Sequence, residues 1–175
     1  MLLLLKAVFV NNLLFLIIFW LIQFKLFFLH LQDNLYIFSD MFISETTLRV
    51  RYGETDQMGI VYYGNYAQYY EVGRVDAMRK LGASYLDMES KGIVMPILSM
   101  NNKYIRPAKY DDLLTVKTTI EEMPTTRIRF KYEIFNENGT LLNIGDTVLV
   151  FVEKETFKPC RCPRWFLELL EDKFN

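Results

Sequence analysis

The chain has 175 residues, room for one domain of ordinary size or for one domain with an appendage. Its 20 Lys and Arg against 21 Asp and Glu leave a formal net charge of −1, so there is no bulk field for holding nucleic acid or an anionic membrane. The single histidine is His30; from Met41 onward there is none, which excludes Ser-His-Asp and Cys-His catalysis and a histidine-bound metal in that part of the chain.

Apolar residues make up 29 of the first 40 but only 61 of the remaining 135. The uninterrupted apolar run, Leu13 to Ile22, is 10 residues long. A bilayer span needs roughly 20. Extension to Leu31 takes in Gln23, Lys25 and His30, which weaken insertion without forbidding it. Three readings fit this leader. It is a stretch upstream of a true start at Met41, since Leu, Phe, Ile, Asn, Lys and Tyr have codons rich in A and T. It is a membrane anchor. Or it is a signal peptide, although Lys6 is a thin basic region and no small-residue cleavage site follows. Residues 1–40 are therefore set apart as an apolar leader, and residues 41–175 are expected to form the working domain.

Thr46 to Tyr52 alternates, with Leu48, Val50 and Tyr52 on one face, and reads as a half-buried strand. A glycine-rich loop follows, broken by Gly53, Gly59 and Gly64. Asn65 to Leu81 reads as a helix: Tyr66, Tyr69, Tyr70, Gly73, Ala77 and Leu81 form one stripe, Asn65 is the N-cap candidate and Gly82 closes the end. Gly73 inside this helix costs about 1 kcal/mol against Ala, which points to a close backbone approach there. Ala83 to Ser90 adds a further turn or two. After Gly92 the period changes to two. Extended runs are expected over Ile93 to Ile105, Leu113 to Glu122, Thr126 to Phe135 and Leu141 to Glu153, with a hairpin turn at Asn136 to Gly139 and a short helix over Trp165 to Lys173. Strand, helix, then four strands in a meander gives an α+β fold: a five-stranded antiparallel sheet against one long helix.

Most polar clusters read as ordinary surface. The acidic pairs Asp111-Asp112 and Glu121-Glu122 fall at turns and strand ends. Arg127, Arg129 and Lys131 alternate with aromatics as a solvated sheet face does. Cys160 and Cys162 are too few for a disulfide framework or a zinc site and read as small apolar side chains in a reducing compartment. The tyrosines at 62, 63, 66, 69 and 70 read mostly as helix core. One stretch stands apart. Tyr52-Gly-Glu-Thr-Asp-Gln-Met-Gly-Ile-Val-Tyr-Tyr-Gly-Asn-Tyr66 sets the carboxylate of Asp56 on a loop just before a helix N-terminus, where free N–H groups polarise a carbonyl. An ordinary loop or cap aspartate remains the alternative for Asp56.

The pattern YxETDxxGxVYxxNY followed by EVGR closely resembles the 4-hydroxybenzoyl-CoA thioesterase family of hotdog-fold acyl-CoA thioesterases, including its Tol-Pal-associated relatives. The resemblance continues through Tyr104-Ile-Arg-Pro-Ala-Lys-Tyr-Asp-Asp112, Gly145-Asp-Thr147 and Thr156 to Pro163. It implies a hotdog fold whose sheet wraps one long helix, and hydrolysis of an acyl-CoA to free acid and CoA, with neither metal nor other cofactor. It implies that Asp56 is the catalytic carboxylate, that the backbone N–H of Tyr63 faces the thioester carbonyl, and that Gly59, Gly64 and Asn65 belong to the substrate-binding loop. Many relatives carry histidine where this chain has Tyr63, so any side-chain role of that histidine is absent here. The chemistry is coherent without it, since a thiolate with a conjugate-acid pKa near 8.5 leaves without a general acid. The resemblance also implies homodimers, often paired into homotetramers, in the cytoplasm; a membrane location follows only if the leader is an anchor. A hotdog acyl-CoA-binding protein without turnover is the alternative, against which the retained aspartate argues.

Overall fold

The computed structural model describes residues 23–25 and 41–174. The chain divides into two units, Met1–Ser39 and Asp40–Asn175. Residues 23–25 of the first are helical; the readings of the leader otherwise lie outside the described residues. Among the described residues no helix is long and apolar enough to cross a membrane.

In the second unit β1 (Phe42–Arg49) leads through a loop into helix α1 (Tyr66–Leu81) and the short α2 (Tyr85–Ser90). Strands β2 (Ile93–Val94), β3 (Ile97–Tyr104), β4 (Leu113–Ile120), β5 (Arg127–Asn136), β6 (Leu141–Val150) and β7 (Val152–Glu153) follow, then α3 (Arg164–Glu171). Five strands form one antiparallel sheet in the order β1-β4-β5-β6-β3, while β2 and β7 make a separate two-stranded ladder. The sheet and helix are those expected, but the connection is not a four-strand meander. Only β4, β5 and β6 follow one another; β3 pairs with β6 at the far edge, Tyr104 opposite Asn143. The extended run expected over Ile93 to Ile105 is interrupted at Met95-Pro96 and so splits between the two sheets. Proline supplies no ladder donor, which favours a break there.

The alternating pattern sorts the sheet as predicted. Leu114, Val116, Thr118 and Ile120 of β4, and Ile128, Phe130, Tyr132 and Ile134 of β5, are all buried. Against them lie Tyr66, Tyr69, Tyr70, Gly73, Ala77 and Leu81 of α1, the whole predicted stripe. Tyr70 stacks on Tyr132, ring centroids 4.4 Å apart and planes within 8°. At Gly73 helix and sheet come close: a Cβ there would lie 2.7 Å from both Thr118 Oγ1 and Val116 Cγ1. Gly82, at φ +89°, ends the helix in the left-handed conformation that glycine adopts without strain.

The first strand differs from expectation at both ends. It starts at Phe42 and stops at Arg49, and Tyr52, placed by alternation on the inner face, is 79% exposed. Val50 exchanges backbone hydrogen bonds with Asp111 and Asp112 (3.1 and 3.0 Å), and the chain then winds into a 3-10 turn over Tyr52–Glu54. That turn breaks the period-two register and decides where the next two carboxylates point.

Candidate active site

The loop from Arg51 to Asn65 is closed by its own backbone. Thr55 bridges Val61, and the Asp56 N–H donates to Ile60 O at 2.9 Å. The turn between them is tight: the Gly59 N–H donates to Asp56 O at 2.9 Å, and Gly59 sits at φ +73°. The Met58 N–H donates to Asp56 Oδ1 at 2.8 Å, which fixes the carboxylate and leaves Oδ2 without a partner among the described residues. The loop ends in a second 3-10 turn, Tyr63–Asn65, that runs straight into α1. No acceptor among the described residues takes the Tyr63 N–H. It is a free donor at the start of a helix, where the backbone carries partial positive charge.

Asp56 and Tyr63 line one cleft of about 290 Å³ together with Met58, Ile60, Tyr66 and Tyr104. Ile105, Arg106 and Pro107 complete its far wall. The Tyr104 hydroxyl donates to Tyr63 O at 3.1 Å, and its ring meets Tyr66 edge-on at 5.3 Å. Thus the carboxylate, an unused N–H donor and apolar walls converge, which suits attack on a carbonyl with the oxyanion held at the helix end. Burial pushes the Tyr66 and Tyr104 phenols above their ordinary value, so both are neutral at pH 7 and act as donors rather than bases.

The glycines and Asn65 frame the loop without lining the cleft. Gly59 makes the turn. A Cβ on Gly64 would lie 2.9 Å from the Tyr62 ring. Asn65 stands at the cap position of α1, but its side chain makes no capping bond. Its Nδ2 instead donates to Glu54 O at 2.7 Å. Of the tyrosines read mostly as helix core, Tyr66, Tyr69 and Tyr70 lie in the core, whereas Tyr63, 63% exposed, and Tyr62 lie outside it.

Glu54 is the residue whose orientation sequence reasoning missed. On an extended loop it would share the side of Asp56. The 3-10 turn instead sends it inward, where it is buried. Its Oε1 accepts from Arg51 Nε at 2.8 Å and Nη2 at 2.5 Å. Its Oε2 accepts from the Arg51 N–H at 2.8 Å and from the Tyr69 hydroxyl at 3.0 Å. Burial pushes the Glu54 carboxyl up, but these donors outweigh it and hold the group below its ordinary value. A carboxylate held in this way by four donors is a weaker base than an unpartnered one.

A larger concavity on the outer sheet face, about 480 Å³, is lined by Lys103, Glu121, Lys131, Glu133 and Asp146. Lys131 pairs with Glu121, and Lys117 with Glu133. Among the described residues no helix end lines it, so it lacks the pairing of a carboxylate with helix-end N–H groups that the smaller cleft has.

A sequence model of the thioesterase superfamily matches residues 58–143. The chain is 39% identical over 126 residues to YneP of Bacillus subtilis, a candidate acyl-CoA thioesterase, covering 72% of this chain and 91% of that protein. It is 32% identical to the acyl-CoA thioester hydrolase YbgC of Escherichia coli, covering 67% and 87%. The chain belongs to the thioesterase superfamily. Solved structures of this superfamily superpose on it. A DHNA-CoA thioesterase from Staphylococcus aureus does so at TM-score 0.69 and 44% identity, over 74% of this chain and 87% of that one. A 4-hydroxybenzoyl CoA thioesterase variant complexed with 4-hydroxybenzoyl CoA does so at TM-score 0.67 and 25% identity, over 74% and 99%. The sheet wrapped on α1 is therefore the hotdog thioesterase fold, and the protein is a thioester hydrolase of the acyl-CoA type.

Proposed function

We propose that Asp56 is the catalytic carboxylate of this hydrolase and that the Tyr63 N–H holds the oxyanion formed at the thioester carbonyl. The reading is carried by one observation: a carboxylate with one oxygen unpartnered and a helix-end N–H without an acceptor, both among the described residues, line the same cleft. Asp56 attacks the carbonyl itself or takes a proton from the attacking water. In either course the C–S bond breaks, CoA leaves as a thiolate that is then protonated, and water supplies the acid's new oxygen. The Met58 N–H keeps the carboxylate oriented through the cycle.

The acyl group is apolar and, we propose, aromatic. Tyr66 and Tyr104 stand edge-to-face beside Met58, Ile60, Ile105 and Pro107, which suits a flat ring. Two structurally similar thioesterases are named for DHNA-CoA and 4-hydroxybenzoyl CoA, the second an aromatic acyl-CoA, in line with this.

A homodimer completes the site. At about 290 Å³ the cleft falls just below the roughly 300–1,000 Å³ usual for ligand sites, too small for an acyl-CoA. One wall is formed by Tyr104 at the end of β3, an edge strand on which Ile97, Leu98, Met100 and Tyr104 are exposed. An unpaired apolar edge of this kind favours pairing with a second copy. The free thiols Cys160 and Cys162 suit a cytoplasmic, reducing location. The working domain is residues 41–175, so a chain beginning at Met41 is expected to retain full activity.

The test is a panel of aromatic and aliphatic acyl-CoAs assayed by thiol release, for wild type and Asp56→Asn. Aromatic acyl-CoAs should give the highest kcat/KM, and Asp56→Asn should abolish turnover while leaving folding intact. An aliphatic preference would refute the acyl assignment. A folded Asp56→Asn variant with more than about a tenth of wild-type kcat would refute the catalytic one, because acid-base groups contribute at least about a hundredfold.

A further inference from the structure

We infer that Glu54 is a positioning residue whose buried clasp sets the geometry between Asp56 and the Tyr63 N–H. The inference rests on the roles assigned to those two residues above. Glu54 acts at both ends of the catalytic loop. Its carboxylate ties the loop's entrance to Arg51 and to the helix through Tyr69. Its own carbonyl accepts from the Tyr62 N–H at 2.9 Å and from Asn65 Nδ2 at 2.7 Å, tying the loop's exit. Asp56 lies two residues after this hub in sequence, and Tyr63 directly follows the residue bonded to it. One buried residue thus anchors both the carboxylate segment and the donor segment.

The clasp needs a carboxylate. Four donors converge on its two oxygens: the Arg51 N–H, Nε and Nη2, and the Tyr69 hydroxyl. A glutamine has one acceptor oxygen, and its NH₂ group would face two of those donors. With the amide oxygen on the Arg51 N–H and the Tyr69 hydroxyl, that NH₂ group faces Arg51 Nε and Nη2, and the Arg51 side chain, 76% exposed, turns away into solvent. Glu54→Gln therefore keeps the shape and opens one side of the clasp. A displacement of about 1 Å between reacting groups is enough for a loss on the order of a hundredfold.

Glu54 touches no reacting atom in this account, and Glu54→Gln keeps the main-chain carbonyl that ties the Tyr63 end of the loop, so the effect of that substitution must pass through Asp56. That gives a discriminating experiment. Glu54→Gln, Asp56→Asn and the double variant are assayed on the best acyl-CoA, each well below its measured Tm. Glu54→Gln is expected to lower kcat about tenfold to a hundredfold with KM changed less than about threefold. In the Asp56→Asn background the same change should cost less than about twofold, because the group it positions is already disabled. A smaller folded fraction would instead multiply both backgrounds by one factor. If Glu54→Gln keeps kcat within about twofold, or costs the same factor in both backgrounds, the inference is wrong.

Should Glu54→Gln not fold, Tyr69→Phe removes a single donor from the same clasp. A several-fold loss in kcat at constant KM, absent in the Asp56→Asn background, supports the clasp; an unchanged kcat overturns it. The two failures are distinguishable. An active Glu54→Gln beside an inactive Asp56→Asn removes the clasp alone. An active Asp56→Asn removes the catalytic assignment and the clasp with it.

Discussion

Beneath helix α1 the fit is steric. Gly73 lets the helix backbone down onto Thr118 and Val116, and Gly145 leaves room for the Tyr70 hydroxyl in the sheet opposite. In the loop in front of the helix, from Arg51 to Asn65, little is held by packing. Gly53 and Gly59 have nothing near the place of a Cβ, and order comes from hydrogen bonds converging on Glu54. The difference separates two kinds of sensitivity. A methyl group added beneath the helix should cost stability and spare the chemistry of each folded molecule. A donor or acceptor removed from the loop should cost rate and change stability less.

The largest expected effect lies in the loop. Asp56→Asn should lower kcat by on the order of 10² to 10⁴ with Tm nearly unchanged, measured by thiol release and thermal melting. The next lies under the helix. Gly73→Ala gains about 1 kcal/mol of helix propensity but forces a Cβ to 2.7 Å from Thr118 Oγ1. Overpacking costs about 1–3 kcal/mol, so the clash should win and denaturant unfolding should show a net loss. A more stable Gly73→Ala protein would dissolve the contrast between the regions. Gly145→Ala should behave likewise, since its Cβ would also lie 2.7 Å from Asn101 O. A smaller effect is expected from Asn65→Ala, which removes one bond to Glu54 O and should cost about 1 kcal/mol with a few-fold loss in kcat.

Acid should expose the loop's electrostatics. The folded-state Glu54 carboxyl lies below its ordinary value, so its contribution is fully present above the unfolded value of about 4.3. It is lost as pH falls through the folded value, because the unfolded chain then binds more protons. Asp76, held down by Thr46 and Lys80, and Asp87, held down by Ser84, act with the same sign. Denaturant midpoints measured between about pH 5 and pH 3 should therefore fall, and fall less steeply in a folded Glu54→Gln variant.

Much of the steric region was legible in the sequence. The stripe from Tyr66 to Leu81 and the alternation from Ile128 to Ile134 both report which side faces the core, and an unexpected glycine inside the helix marked a close approach. Those signals are local. The place of β3 was not legible, because its partner is chosen by contacts more than 40 residues away in sequence (Asn102 pairs with Gly145). Nor was the inward turn of Glu54. Alternation was extrapolated past Arg49, where backbone bonds from Val50 to Asp111 and Asp112 end the strand. Asp56 and Tyr63 were found by motif, and the structure sets them on one cleft. The wall from Tyr104 to Pro107 belonged to a motif as well, but nothing in the sequence said that it faces Asp56.

The far-edge position of β3 bears on when the cleft comes into being. Ile105 and Arg106 both donate to Leu142 O at 2.9 Å, so the wall opposite Asp56 hangs from β6. A chain emerging from the ribosome can form the loop, α1 and the β4-β5 hairpin before β6 exists. Only when the last long strand has docked does β3 have a neighbour. Non-local pairing of this sort is slow to close and leaves apolar strand surface uncovered meanwhile. A nascent or truncated chain ending before Leu141 should thus carry its carboxylate in place, hydrolyse nothing, and expose the aggregation-prone edge that the finished sheet pairs.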